Sequence, residues 1–280
     1  MGVKSASTYN LKLIERINLR CVEAFIHNPR LRSFSRGMIH NISRCFVEAL
    51  IGRFVAAHNF EQLHAISLQQ GLIVCANHRS YFDNFAVSVR MMKILKHRLN
   101  YRFPIRTEGF YDTWYGLFVN LVCSAVTMYP PIIRGARGVE WGKRVVEIIT
   151  SELGRGDTAV LIHPEGGRNH GIDPYSLMPA RPGLGKIIHQ SSAPVVPVFL
   201  QGFPGTTVAV LKANFCRPRG AIPLVHMVMG APIDFSAERA CKPSARLFFQ
   251  MANKVNAQIT LLGEKERALR RLSGLTNGER

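Results

Sequence analysis

Ala76-Asn77-His78-Arg79-Ser80-Tyr81-Phe82-Asp83 follows the apolar run Leu72-Ile73-Val74-Cys75, and this junction decides how the chain folds. A short apolar run that stops abruptly at polar residues is how a buried strand delivers side chains to the rim of a sheet. Five positions on a regular helix turn through about 140°, so His78 and Asp83 meet only if His78 lies in the turn before a helix and Asp83 in its first turns. A histidine held by a carboxylate in this way is a general base for chemistry near neutral pH.

A second stretch repeats the arrangement. Ala159-Val160-Leu161-Ile162 ends in His163-Pro164-Glu165-Gly166-Gly167-Arg168-Asn169, a polar turn with a carboxylate, two glycines and a guanidinium. Between the two stretches, residues 84–96 read as a helix, Tyr101 to Arg106 as a strand, and Val139, Val145, Val146, Ile149 and Leu153 as the apolar face of a helix over 138–153. Strands alternating with helices predict an α/β fold with a largely parallel central sheet flanked by helices. In such sheets ligands gather at the carboxyl ends of strands, where His78, Arg134 and Glu165 are expected. Beyond them, 194–211 reads as strands with a turn at Gly202 and Gly205, 225–233 as a last strand and 244–262 as a closing helix.

Residues 9–58 carry apolar positions at helical spacing, broken at Asn28-Pro29-Arg30, with Arg16, Arg20, Arg36, Arg44 and Arg53 between them. They read as an N-terminal amphipathic helical hairpin, either packed on the main domain or lying on an anionic membrane. The expected division is an appendage over 1–58, a main domain over 59–265 and a basic, frayed tail over 266–280. The 280 residues hold 36 Lys and Arg against 18 Asp and Glu, a formal net charge of +18. Such a surface seeks phosphate, on nucleic acid, an anionic bilayer or a soluble substrate. No aromatic-and-basic pattern of a nucleic-acid fold and no zinc-finger spacing occurs, which argues against nucleic acid. The six cysteines show no Cys-x-x-Cys pairing and fit reduced thiols in a cytoplasmic protein. No His-Glu-x-x-His pattern calls for a metal, and Gly138-Val139-Glu140-Trp141-Gly142-Lys143 has the wrong spacing for a P-loop, so no cofactor is expected.

The chain resembles the glycerophosphate and lysophosphatidate acyltransferase superfamily. Its Asn-His-x-x-x-x-Asp motif is similar to Asn77 to Asp83, and its Pro-Glu-Gly-Thr-Arg motif to Pro164 to Arg168. An apolar or aromatic run ending in Arg is similar to Tyr129-Pro130-Pro131-Ile132-Ile133-Arg134, and a run around a proline to Val195-Val196-Pro197-Val198. The resemblance covers about residues 60 to 235. It implies acyl transfer from a thioester of coenzyme A or acyl carrier protein to a lysophospholipid-type hydroxyl, with His78 and Asp83 catalytic. Asn77, Arg134, Glu165, Gly166, Gly167 and Arg168 would line the substrate site, with Arg106 binding the acceptor phosphate. Arg181, before a glycine-containing helix start, either receives a phosphate or belongs to an ordinary loop.

Glu165 either orients Arg168 or accepts a substrate hydroxyl; the sequence leaves both open. Tyr115 to Ile133 carries no charge, yet Asn120, Ser124 and the Pro130-Pro131 pair make it a poor membrane span, and the resemblance implies a buried helix followed by a strand. The expected location is cytoplasmic and peripheral, on the inner face of a membrane. Two departures fall on the acceptor side: Gly167 replaces the usual threonine, and His163 an aromatic or apolar residue. An amino-lipid or specialised-metabolite acceptor therefore stays open, as do a non-catalytic basic membrane binder and a thioester hydrolase.

Overall fold

A computed structural model describes residues 11–95, 99–133, 135, 138–204, 206–216 and 223–274. Helices α1 (Leu13–His27) and α2 (Pro29–Met38) meet at Asn28, whose Oδ1 accepts from the main-chain N–H groups of Arg30 and Leu31. Proline at the first position of α2 lacks the N–H that a helix start leaves unpaired anyway. A π-helical turn, Ile39–Ser43, leads into α3 (Arg44–Ile51). The chain then leaves the helical course expected to residue 57. Val55–His58 is strand β1, hydrogen-bonded into the main sheet. Its four residues are too few for alternation to show in sequence, and the sheet edge that stabilises them comes from far along the chain.

The strands that follow are β2 (Leu72–Ala76), β3 (Asn100–Arg102), β4 (Ile105–Arg106), β5 (Pro131–Ile132), β6 (Thr158–Ile162), β7 (Val195–Gln201) and β8 (Val225–Met229). The main sheet has the order β1-β8-β7-β2-β6-β3; β7, β2, β6 and β3 run parallel, while β8 and β1 run the opposite way. β2 is central and buried along its whole length, which is why its sequence is an unbroken apolar run. The strand expected over 101–106 is two: Phe103 and Pro104 separate β3 from β4, which pairs with β5 outside the main sheet.

The helices continue as α4 (Asp83–Ile94), α5 (Trp114–Phe118), α6 (Gly138–Gly154), α7 (Pro182–Gln190), α8 (Thr207–Cys216), α9 (Ser236–Ala240) and α10 (Ala245–Leu272). Each sheet face has its own core. Ile73 and Cys75 point into a cluster with α1, α6, α7 and α10, while Leu72, Val74 and Ala76 point into one with α3 and α4, the period-two alternation of a strand. α7 crosses α10 so closely that a Cβ on Gly185 would meet the main-chain oxygen of Phe248. α1 and α2 pack on the main domain. Arg32 on α2 pairs with Glu152 at 2.8 Å and with Asp157 at 2.6 Å, and Glu152 also pairs with Arg102.

Three further expectations change. Residues 207–211 are helical, not strand, because the chain leaves the sheet at Gln201. α10 runs ten residues past 262 to Leu272, fastened by the buried pair Glu266–Arg270. The segment expected as a buried helix is α5 and a π-helical turn, Val119–Cys123; Trp114 is 67% exposed, Tyr115 74%, Phe118 54% and Val122 51%. Its interior contact is polar, Asn120 bonding to Asn18 of α1 and to the main chain of Phe110. Among the described residues no helix is long and apolar enough to cross a membrane.

Candidate active site

β2 ends at Ala76, and the next seven residues turn into α4 with Asp83 as its first residue. Oδ2 of Asp83 accepts three hydrogen bonds: from Nδ1 of His78 at 3.0 Å, and from the main-chain N–H groups of Arg79 at 2.7 Å and Ser80 at 2.8 Å. The carboxylate therefore shapes the turn that presents His78 as well as holding its ring. With the proton on Nδ1, Nε2 keeps a lone pair, and the ring lines a cavity of about 1020 Å³.

Burial pushes the His78 imidazole down to about 3, helped by the positive charges of Arg168 and Arg106. Burial pushes the Asp83 carboxyl up to about 6, against the pull of its main-chain donors. Near neutral pH the pair is thus a neutral imidazole on a carboxylate, the state of a general base awaiting a proton.

The loop after β6 closes against this turn. Glu165, buried, accepts from the main-chain N–H of His78 at 2.9 Å and of Met178 at 2.8 Å, and Asn169 donates its N–H to the oxygen of His78 at 2.7 Å. Burial raises the Glu165 carboxyl above its ordinary value. Both Glu165 oxygens accept from main chain, so the carboxylate clamps the two loops together, and its remaining lone pairs leave both sequence readings, a partner of Arg168 or of a substrate hydroxyl, standing. Asn77 is likewise bonded to main chain. Its Nδ2 donates to the oxygen of Leu200 at 2.9 Å and its Oδ1 accepts the N–H of Leu200 at 2.8 Å, which ties the end of β2 to β7.

Gly166 has φ +67°, and a Cβ there would lie 2.9 Å from Cγ of Arg181, so both turn geometry and space require glycine. Arg168 lies flat on Tyr81, its Cζ 3.8 Å from the ring centroid, with Nη2 donating to the phenol oxygen at 2.9 Å. Arg106, Arg168 and Arg181 line the cavity together with Gly166, Gly167 and His170. Arg134 lies outside the described residues. Asn84 and Glu108 also line it, and much of the remaining wall is apolar, with Ile105, Phe110, Ile132, Trp141, Val145 and Ile149 among others.

Sequence reasoning missed two partners. Tyr81 sat inside the motif with nothing to mark it as the platform for Arg168. His163, noticed only as a departure, stacks on His78 with ring centroids 3.8 Å apart. No cluster of three or more side chains able to hold a metal ion occurs among the described residues.

No curated protein matches the chain. A family model described as Acyltransferase matches residues 55–201, from β1 to the end of β7, more than half of the chain. The matched span includes the His78–Asp83 pair, Glu165 and every residue that lines the cavity. The chain belongs to the acyltransferase family, within the glycerophosphate and lysophosphatidate superfamily whose motifs it carries.

Proposed function

We propose that the protein moves a fatty acyl group from an acyl thioester, on coenzyme A or acyl carrier protein, to the hydroxyl of a lysophospholipid-type acceptor. The observation that carries this reading is the His78–Asp83 pair, its histidine lining one cavity that also has an apolar wall and three arginines. The acyl chain fits the apolar wall. Guanidinium groups of Arg106, Arg168 and Arg181 suit an anionic acceptor. The cavity's volume, 1020 Å³, is at the upper end of the range of small-molecule sites, about 300–1,000 Å³.

In the proposed step the acceptor hydroxyl oxygen attacks the thioester carbonyl carbon while its proton passes to Nε2 of His78. Asp83 stabilises the imidazolium. The tetrahedral intermediate collapses as its carbon–sulfur bond breaks, and the leaving thiolate takes the proton from His78. No covalent enzyme intermediate is needed, and a positioned base of this kind contributes about 10²- to 10⁴-fold. The test is acceptor-dependent thiol release that disappears in His78→Ala; release without an acceptor would favour a thioester hydrolase.

The substrates argue for work at an anionic membrane surface. The net charge of +18 favours one, and the exposed row Trp114, Tyr115, Phe118 and Val122 offers aromatic side chains of the kind that settle at lipid headgroups.

A further inference from the structure

His163 stands just past the end of β6, and its imidazole lies face to face with that of His78, centroids 3.8 Å apart and planes 5° from parallel. Its Nδ1 is 2.9 Å from the main-chain oxygen of Ala76, the last residue of β2. A carbonyl oxygen only accepts, so the proton sits on Nδ1 and Nε2 carries a lone pair. That Nε2 is buried with no hydrogen-bond partner. A buried acceptor left unpartnered is a cost, and a phenylalanine would not incur it.

We propose that His163 is a positioning residue for the base: a ring bolted to the end of β2 that holds the imidazole of His78 in the plane from which it takes the acceptor's proton. The hydrogen bond to Asp83 fixes one edge of His78 but leaves the ring free to rock about that edge, because the terminal torsion of histidine is intrinsically broad. A flat surface 3.8 Å away removes this freedom. It also serves the step itself, since an imidazolium forming on His78 would lie against the face of a neutral ring. Burial, with His78 beside it, keeps His163 neutral, pushed down to about 3 against the pull of Asp83 and of the Ala76 and Asn77 main chain, so the platform does not repel the charge it faces. The Ala76 anchor sets the ring's height on the same strand that delivers His78.

The inference rests on the acyl-transfer reading for its kinetic arm only. Wild type, His163→Phe and His163→Leu are compared in acyl-thioester turnover with a lysophospholipid acceptor. A flat ring should suffice for most of the effect: His163→Phe keeps kcat within about threefold, while His163→Leu loses about 10- to 100-fold in kcat with KM little changed, the scale expected when a reacting group is misplaced by about 1 Å. Two-bond proton–nitrogen spectra of nitrogen-15-labelled imidazoles supply the second arm, which needs no substrate. His78 should show one fixed Nδ1–H tautomer in wild type and in His163→Phe, and exchange-broadened signals in His163→Leu. Equal kcat for the leucine variant and wild type, or an unaltered His78 spectrum in the leucine variant, overturns the proposal. So does a phenylalanine variant as impaired as the leucine one. If the wild type turns over no acyl thioester, the function reading fails while the spectra still decide the role of His163.

Discussion

Replacing Glu165 by glutamine separates a clamp from a substrate ligand. Glu165 is 2% exposed, and its two oxygens accept the main-chain N–H groups of His78 at 2.9 Å and Met178 at 2.8 Å. Glutamine has one acceptor oxygen; its NH₂ group would face whichever N–H remained, leaving one buried donor without a partner. That loss costs about 1–3 kcal/mol. At about 2–4 °C per kcal/mol, Tm should drop by roughly 2–12 °C. The orphaned N–H belongs either to His78 or to the loop that backs it, so the base shifts, and kcat should fall about 10- to 100-fold. KM for the acceptor should stay within about threefold, because no uniform substrate binding has been removed. Differential scanning fluorimetry and steady-state kinetics with varied acceptor are the assays. An unchanged Tm with a KM raised tenfold or more would refute the clamp and return Glu165 to the acceptor.

Asp83→Asn should cost about 10²- to 10⁴-fold in kcat, since it loosens the tautomer of His78, and the rate constant of acyl transfer measures it. The acid limb of kcat/KM should lie below about 6.5, the ordinary histidine value, because burial and the charges of Arg168 and Arg106 hold His78 down; a pH profile from 5 to 9, at about one point per half unit, checks this. The same shifts set stability. With His78 and His163 both at about 3 in the folded protein, the unfolded chain binds more protons below about 6.5, so stability falls as pH drops from there, as urea midpoints at successive pH values should show. Arg32→Ala should lower unfolding free energy by about 3 kcal/mol in urea melts, by leaving Glu152 and Asp157 short of their partner. Trp114→Ala with Phe118→Ala should weaken sedimentation with anionic vesicles by about tenfold or more, at about 1.5–3 kcal/mol for each large apolar side chain buried.

The sequence made the parallel sheet and the His78–Asp83 pair legible for one reason: β2 is buried on both faces and therefore writes a pure apolar run, and the polar residues after it must emerge at the rim. What stayed hidden depends on partners distant in sequence. Asn77 and Glu165 read only as substrate ligands because nothing local reveals that Leu200, His78 and Met178 offer main-chain groups that bond their polar atoms as well. β1 was hidden because its pairing partner lies some 170 residues away in the register Val55 to Val225. The uncharged run after Tyr115 reads as buried, since composition reports the absence of charge and not which face meets solvent; Trp114, Tyr115 and Phe118 face outward instead. The end of α10 looked like a frayed basic tail because Arg270 is basic, yet that arginine is buried on Glu266 and on the main chain of Gln201 and Leu224.

The central claim is that His78 takes a proton from an acceptor hydroxyl during acyl transfer. Thiol release from long-chain acyl-coenzyme A and acyl-carrier thioesters, with and without lysophospholipid acceptors, tests it most directly in wild type and His78→Ala. The account predicts release that requires an acceptor and falls by about 10²-fold or more in the variant. Equal release from wild type and His78→Ala, or release indifferent to the acceptor, would contradict it.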